Sequence, residues 1–107
     1  MTRLRPPAYA RKTDRNHAPI RDAIRKAGWE VLDRSGVGRG ECDLIARKPI
    51  DAQRLCRVWV EVKNPGEELT DPEAQFFEWA PGPKIIATDP VLAVHELQAV
   101  YLRECAQ

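Results

Sequence analysis

The chain has 107 residues, 43% hydrophobic and 31% charged, with a formal net charge of +1. That length supports one modest core rather than two domains. No apolar run approaches the ~20 residues a membrane helix requires, so a membrane-spanning protein is not expected.

The N-terminal MTRLRPPAYARK is basic and lacks the apolar stretch of a secretory signal, which points to the cytoplasm. Cys42, Cys56 and Cys105 are widely spaced and form no CxxC pair, so reduced thiols are expected rather than a disulfide framework. His17 and His95 stand apart with no second ligand at zinc spacing. The charge is unevenly spread: residues 1–40 hold ten Lys/Arg against four Asp/Glu, and residues 41–107 hold seven against twelve. A basic front of this kind can lie along a polyanion, although a solvated helix and tail produce the same count.

Residues 1–12, with Pro6 and Pro7 adjacent, read as a flexible basic arm, mobile or extended, and residues 13–107 as a single domain. A first helix is expected from Asn16 as N-cap, with Pro19 in its first turn, an apolar stripe of Ile20, Ala23, Ile24 and Ala27, and Gly28 closing it. Trp29–Leu32 reads as a strand. The loop Ser35-Gly36-Val37-Gly38-Arg39-Gly40 follows, and it is no P-loop because no Gly-Lys-Ser/Thr ends it. Cys42–Ala46 and residues 57–63 read as two further strands joined by a polar linker, most simply as an antiparallel pair. Thr70-Asp71-Pro72-Glu73 is a capping box that opens a helix carrying Gln75, Phe76, Phe77 and Trp79. Lys84–Thr88 is a short strand, and Asp89-Pro90 caps a last helix with Val94, Leu97 and Tyr101 at helical spacing.

The chemistry concentrates in Val58-Trp59-Val60-Glu61-Val62-Lys63. Alternation puts the three valines on one face and Trp59, Glu61 and Lys63 on the other. Asp43 begins the neighbouring strand. Two carboxylates brought together on adjacent strands repel unless a cation lies between them, and hard oxygen ligands suit Mg²⁺ or Mn²⁺. A surface ion pair between Glu61 and Lys63 is the plain structural alternative. Trp59, Phe76, Phe77 and Trp79 read as helix packing or a dimer face rather than as a platform for bases.

Asp43 followed by Glu61-Val62-Lys63 closely resembles the signature of the PD-(D/E)XK nuclease superfamily. The blocks TDRNHAPIRDAIRKAGWEV, GVGRGECDLI, WVEVK and LTDPEAQFFEW resemble those of small phage and bacterial members of the VRR-NUC and Holliday-junction-resolvase branches, over roughly residues 13–97. The resemblance implies an α/β, restriction-endonuclease-like αβββαβα core with a central mixed four-stranded sheet flanked by helices. It implies Asp43, Glu61 and the Val62 backbone carbonyl as ligands of Mg²⁺, with Mn²⁺ as a substitute. It implies Lys63 as the residue that positions or activates water, and Gln75 as a polar helix residue beside the site. Gly38, Arg39 and Gly40, with Arg11, Lys12 and Arg15 of the basic front, are the candidates for nucleic-acid contact.

The chain departs from the pattern at Cys42, where a proline is usual, and at Pro19, where the first helix usually carries an acid. The second departure bears on a second metal site, for which Asn16 and Asp22 are the nearest polar substitutes. The expected function is Mg²⁺-dependent hydrolysis of DNA, structured or branched, by a protein that is a homodimer in many relatives. A bacterial or phage-infected cytoplasm is the expected location. RNA cleavage on the same fold, and a non-catalytic nucleic-acid-binding domain, are the alternatives.

Overall fold

A computed structural model describes residues 15–35 and 40–107. Within them the elements are α1 (His17–Lys26), β1 (Glu30–Asp33), β2 (Leu44–Pro49), β3 (Leu55–Val62), α2 (Asp71–Trp79), β4 (Lys84–Ala87) and α3 (Pro90–Cys105). The expected succession of helix, three strands, helix, strand and helix is present. The expected arm, residues 1–12, lies outside the described residues, as do 36–39 of the glycine loop.

The strands form one open mixed sheet in the order β1-β2-β3-β4. The β1–β2 and β2–β3 pairs are antiparallel, and β3 and β4 are parallel. An antiparallel pair closes with a tight turn, whereas a parallel pair needs a crossover, which α2 supplies. Both central strands run further into the polar linker than their apolar residues suggest. Cys56, Val58 and Val60 are buried while Leu55 and Arg57 are exposed, so period-two alternation holds through the charged positions. The Asp51 carboxylate then folds the turn by accepting from the N–H groups of Gln53 and Arg54 at 2.9 and 2.8 Å.

The two sheet faces differ. Val58, Val60 and Val62 of β3 join Leu44, Ala46, Ile85 and Ala87 in the main core with Ile20 and Ile24 of α1 and Ala93, Leu97 and Val100 of α3. Each fully buried valine contributes about 1.5–3 kcal/mol. The α3 stripe is Ala93, Leu97 and Val100, rotated by one residue from the expected Val94, Leu97 and Tyr101, both of whose outer members are half-buried. Tyr101 lies at the margin because its hydroxyl donates to the Pro49 carbonyl at 2.7 Å. The opposite face is covered by α2, through a small cluster of Cys42, Phe76 and Ala80 with Trp59 and Phe77 against it. Phe76 meets Trp59 edge-on at 5.0 Å and Trp79 at 5.4 Å. Trp59 is thus a packing residue, while Trp79 is 69% exposed.

Gly28 has φ +100°, as the expected left-handed end of α1 demands. Asn16 does not act as a side-chain cap. Its amide reaches away from the helix and donates to the carbonyls of Lys63 and Thr88, at 2.9 and 3.0 Å. The first helix is thereby fastened to the chain where β3 and β4 leave the sheet. His17, in the first turn, is buried with Nε2 3.1 Å from Asp33. Asp33 also accepts from Arg21 and from the Ser35 N–H. Partial burial works against its charge, yet these donors hold the carboxyl far below the usual carboxylate range.

Candidate functional site

Asp43 immediately precedes β2, and the pairing of Leu44 with Val60 brings it opposite Glu61 on the face covered by α2. One carboxylate oxygen of Asp43 accepts the Val62 N–H at 2.9 Å. Its carbonyl accepts from the Arg34 N–H at 2.7 Å. The side chain thus extends the β2–β3 contact one bond past the last paired residues, and β1 secures the backbone from the other side. Val62, expected to offer its carbonyl to a metal, contributes its N–H here and buries its side chain on the opposite face.

Glu61 is the chemically unusual residue. It is 2% exposed, and Oε1 is buried with no hydrogen-bond partner among the described residues. Asp43 and Glu73 are its negative neighbours. Burial first, and then the two neighbouring negative charges, push the Glu61 carboxyl up to about 10. Burial and these neighbours therefore favour the protonated form of Glu61.

Lys63 does not pair with Glu61. Its Nζ lies 2.7 Å from Oε1 of Glu73, and the two side chains are only 12% and 18% exposed. The same Glu73 oxygen accepts the Thr70 N–H at 2.8 Å, while Thr70 Oγ1 accepts from the Glu73 N–H. The capping box is thus present and one of its members also carries the ion pair. Burial opposes both charges, but each favours the other, so Lys63 lies above and Glu73 below its ordinary range.

Gln75 is exposed and lines an open groove with Asp71, Ala74, Phe77 and Glu78. It makes no hydrogen bond to Asp43, Glu61 or Lys63 among the described residues. Glu73, read from the sequence only as a cap, stands where Gln75 was expected. Its position three residues after a threonine N-cap gave the cap away; nothing local signalled the contact with Lys63. Gly40 has φ +82°, and a Cβ there would lie 2.7 Å from backbone and side-chain atoms of Pro72. Its bare side therefore receives the first turn of α2 instead of standing open to a phosphate. Arg15 is exposed and lines a depression with Asn16, Asn64 and Pro65, next in the chain to Lys63. Gly38, Arg39, Arg11 and Lys12 lie outside the described residues. Asp22 pairs with Arg21 at 3.0 Å on α1, and Asn16 is committed to two carbonyls.

A small oxygen-loving cation fits Asp43 and Glu61: an orphaned buried oxygen and facing carboxylates are what such an ion would satisfy. Among the described residues no group of three or more His, Cys, Asp or Glu side chains is arranged as a metal cage. No helix among them is long and apolar enough to cross a membrane. No protein-family model, curated protein or solved structure matches the chain.

Proposed function

We propose that the chain is a metal-dependent endonuclease that hydrolyses DNA phosphodiester bonds on a restriction-endonuclease-like core, with structured or branched DNA as its substrate class. The observation that carries this reading is Glu61: a buried carboxyl with an oxygen unpartnered among the described residues, opposite Asp43 on the adjacent strand and two positions before Lys63. A carboxyl in such company is a poor structural device, because it is costly to bury as an anion beside two other carboxylates and otherwise has to keep a proton well above its ordinary range.

Asp43 and Glu61 would hold Mg²⁺ or Mn²⁺, and the Val62 carbonyl is the remaining proposed ligand. Bound there, the ion would act as a Lewis acid and lower the pKa of a coordinated water. The chain's own residues supply orientation and charge. The Val62 N–H fixes the rotamer of Asp43. The backbone of β3, held between β2 and β4, fixes Glu61. Lys63 brings a cation that would offset the negative charge building on the scissile phosphate. The uneven charge along the sequence supports backbone rather than base contacts with the nucleic acid.

The test is incubation of purified protein with plasmid, linear duplex, four-way junction and RNA, in Mg²⁺, Mn²⁺ or EDTA. Cleavage of DNA that needs metal and is lost in Asp43→Ala, Glu61→Ala and Lys63→Ala supports the reading. Preferential cutting of RNA would reassign the substrate. Salt-sensitive, metal-independent binding without cutting would make the chain a binding module. Cleavage that survives all three substitutions would sink the assignment.

A further inference from the structure

We infer that Glu73 is a positioning residue for Lys63, tying the first turn of α2 to the end of β3 and setting where the lysine's charge is held. The kinetic part of this inference rests on the nuclease reading; the structural part does not. A capping glutamate needs only the Thr70 N–H, and an exposed one would satisfy it equally well. Here the same oxygen also takes Lys63 at 2.7 Å, with both side chains largely withdrawn from water. A lysine has four rotatable side-chain bonds and samples many positions unless something holds it. The carboxylate that does so comes from an element whose own position is fixed by the fit of Pro72 against Gly40 and of Phe76 against Trp59. Glu73 is also one of the negative neighbours of Glu61, so moving it changes the electrostatic surroundings of both residues.

Glutamine serves at this capping position as well as glutamate, so Glu73→Gln separates the two roles. Three measurements on the full chain decide: thermal melting, acylation of Lys63 by an amine-directed reagent followed by mass spectrometry, and steady-state cleavage of DNA. Glu73→Gln keeps the cap and should melt closer to wild type than Glu73→Ala does, and it should acylate several-fold faster at Lys63. It should lose about 10²-fold in kcat with KM little changed, the scale of a misplaced catalytic group. Lys63→Met with Glu73→Gln should cost no more than Lys63→Met alone, since the second residue acts through the first.

Acylation and turnover at wild-type values in Glu73→Gln, with only Glu73→Ala melting early, would reduce Glu73 to a cap and overturn the inference. Additive losses in the double variant would overturn it too. If the wild type cuts no nucleic acid, the nuclease reading fails by itself. The acylation rate then decides alone: faster labelling in Glu73→Gln upholds the positioning role, and an unchanged rate removes it.

Discussion

Gly40 and Pro72 are in such close apposition that a methyl group on Gly40 would fall 2.7 Å from the Pro72 carbonyl carbon, carbonyl oxygen and Cβ. The end of the glycine loop and the start of α2 are therefore fitted together as backbone against backbone. Gly40→Ala meets two penalties, the contact itself and a φ of +82° that L-residues seldom adopt. A loss of about 1–3 kcal/mol is expected. Urea denaturation of the variant should show a lower midpoint, and Lys63 should become easier to acylate as the first turn of α2 shifts.

Asn16 supplies a second prediction. Its amide donates to two carbonyls from different segments, Lys63 and Thr88. Asn16→Ala should cost about 1–3 kcal/mol. Asn16→Asp should cost more than Asn16→Ala, because a carboxylate would face two carbonyl oxygens where an N–H₂ group now donates. The reverse order in thermal melts would mean that this contact does not carry the stability assigned to it.

The expected pH dependence follows from Glu61. Its carboxyl is raised from 4.5 to about 10 in the folded chain. The folded state therefore keeps a proton that the unfolded state releases. The stability contributed by this proton is complete below about pH 4.5 and is lost as pH rises toward 10. In EDTA, wild-type stability should fall from about pH 5 to pH 9 more steeply than that of Glu61→Gln, which has no proton to lose. If Glu61 binds a metal as proposed, millimolar Mg²⁺ or Mn²⁺ should restore wild type at the alkaline end and leave Glu61→Gln nearly unchanged. Parallel curves for the two proteins would remove Glu61 as the source.

Much of this architecture is legible in the sequence, and the parts that are not share a cause. Thr70 and Glu73 announce a helix start because capping is local chemistry. Glu73's second partner depends on where β3 ends relative to that helix, which no local pattern encodes. The resemblance points to Gln75, but two residues along a helix turn the side chain by about 200°, so it faces away when Glu73 faces inward. Asn16 looks like a cap by type and position, but its backbone is already helical at φ −74° and ψ −13°, and its N–H₂ is held by two distant carbonyls while its oxygen caps nothing. Asp43 and Glu61 were legible as a pair because strand alternation and an antiparallel register are enough to bring them together.

Asp43→Asn offers a clean separation of structure from chemistry. The amide oxygen can still accept the Val62 N–H, so the β2–β3 junction should hold and melting should change little. Removing that negative charge should bring the Glu61 carboxyl back toward its ordinary range. On the nuclease reading, metal-dependent cleavage should nevertheless fall by about 10²-fold or more. Retained cleavage with intact folding would take Asp43 out of the active set.

Asp43, Glu61, Lys63 and Glu73 all come from one continuous run of chain containing a single hairpin and the opening turn of one helix. Closing such short loops costs little chain entropy, and contacts near in sequence form early in folding. The polar cluster can therefore be assembled together with the centre of the sheet. The Asn16 fastening and the parallel strand β4 wait for distant segments to arrive, as do the helices α1 and α3 that pack on the other face. Refolding followed by pulsed hydrogen exchange should accordingly protect the Val62 N–H, bonded to Asp43, before the Lys63 N–H, which depends on the Ala87 carbonyl.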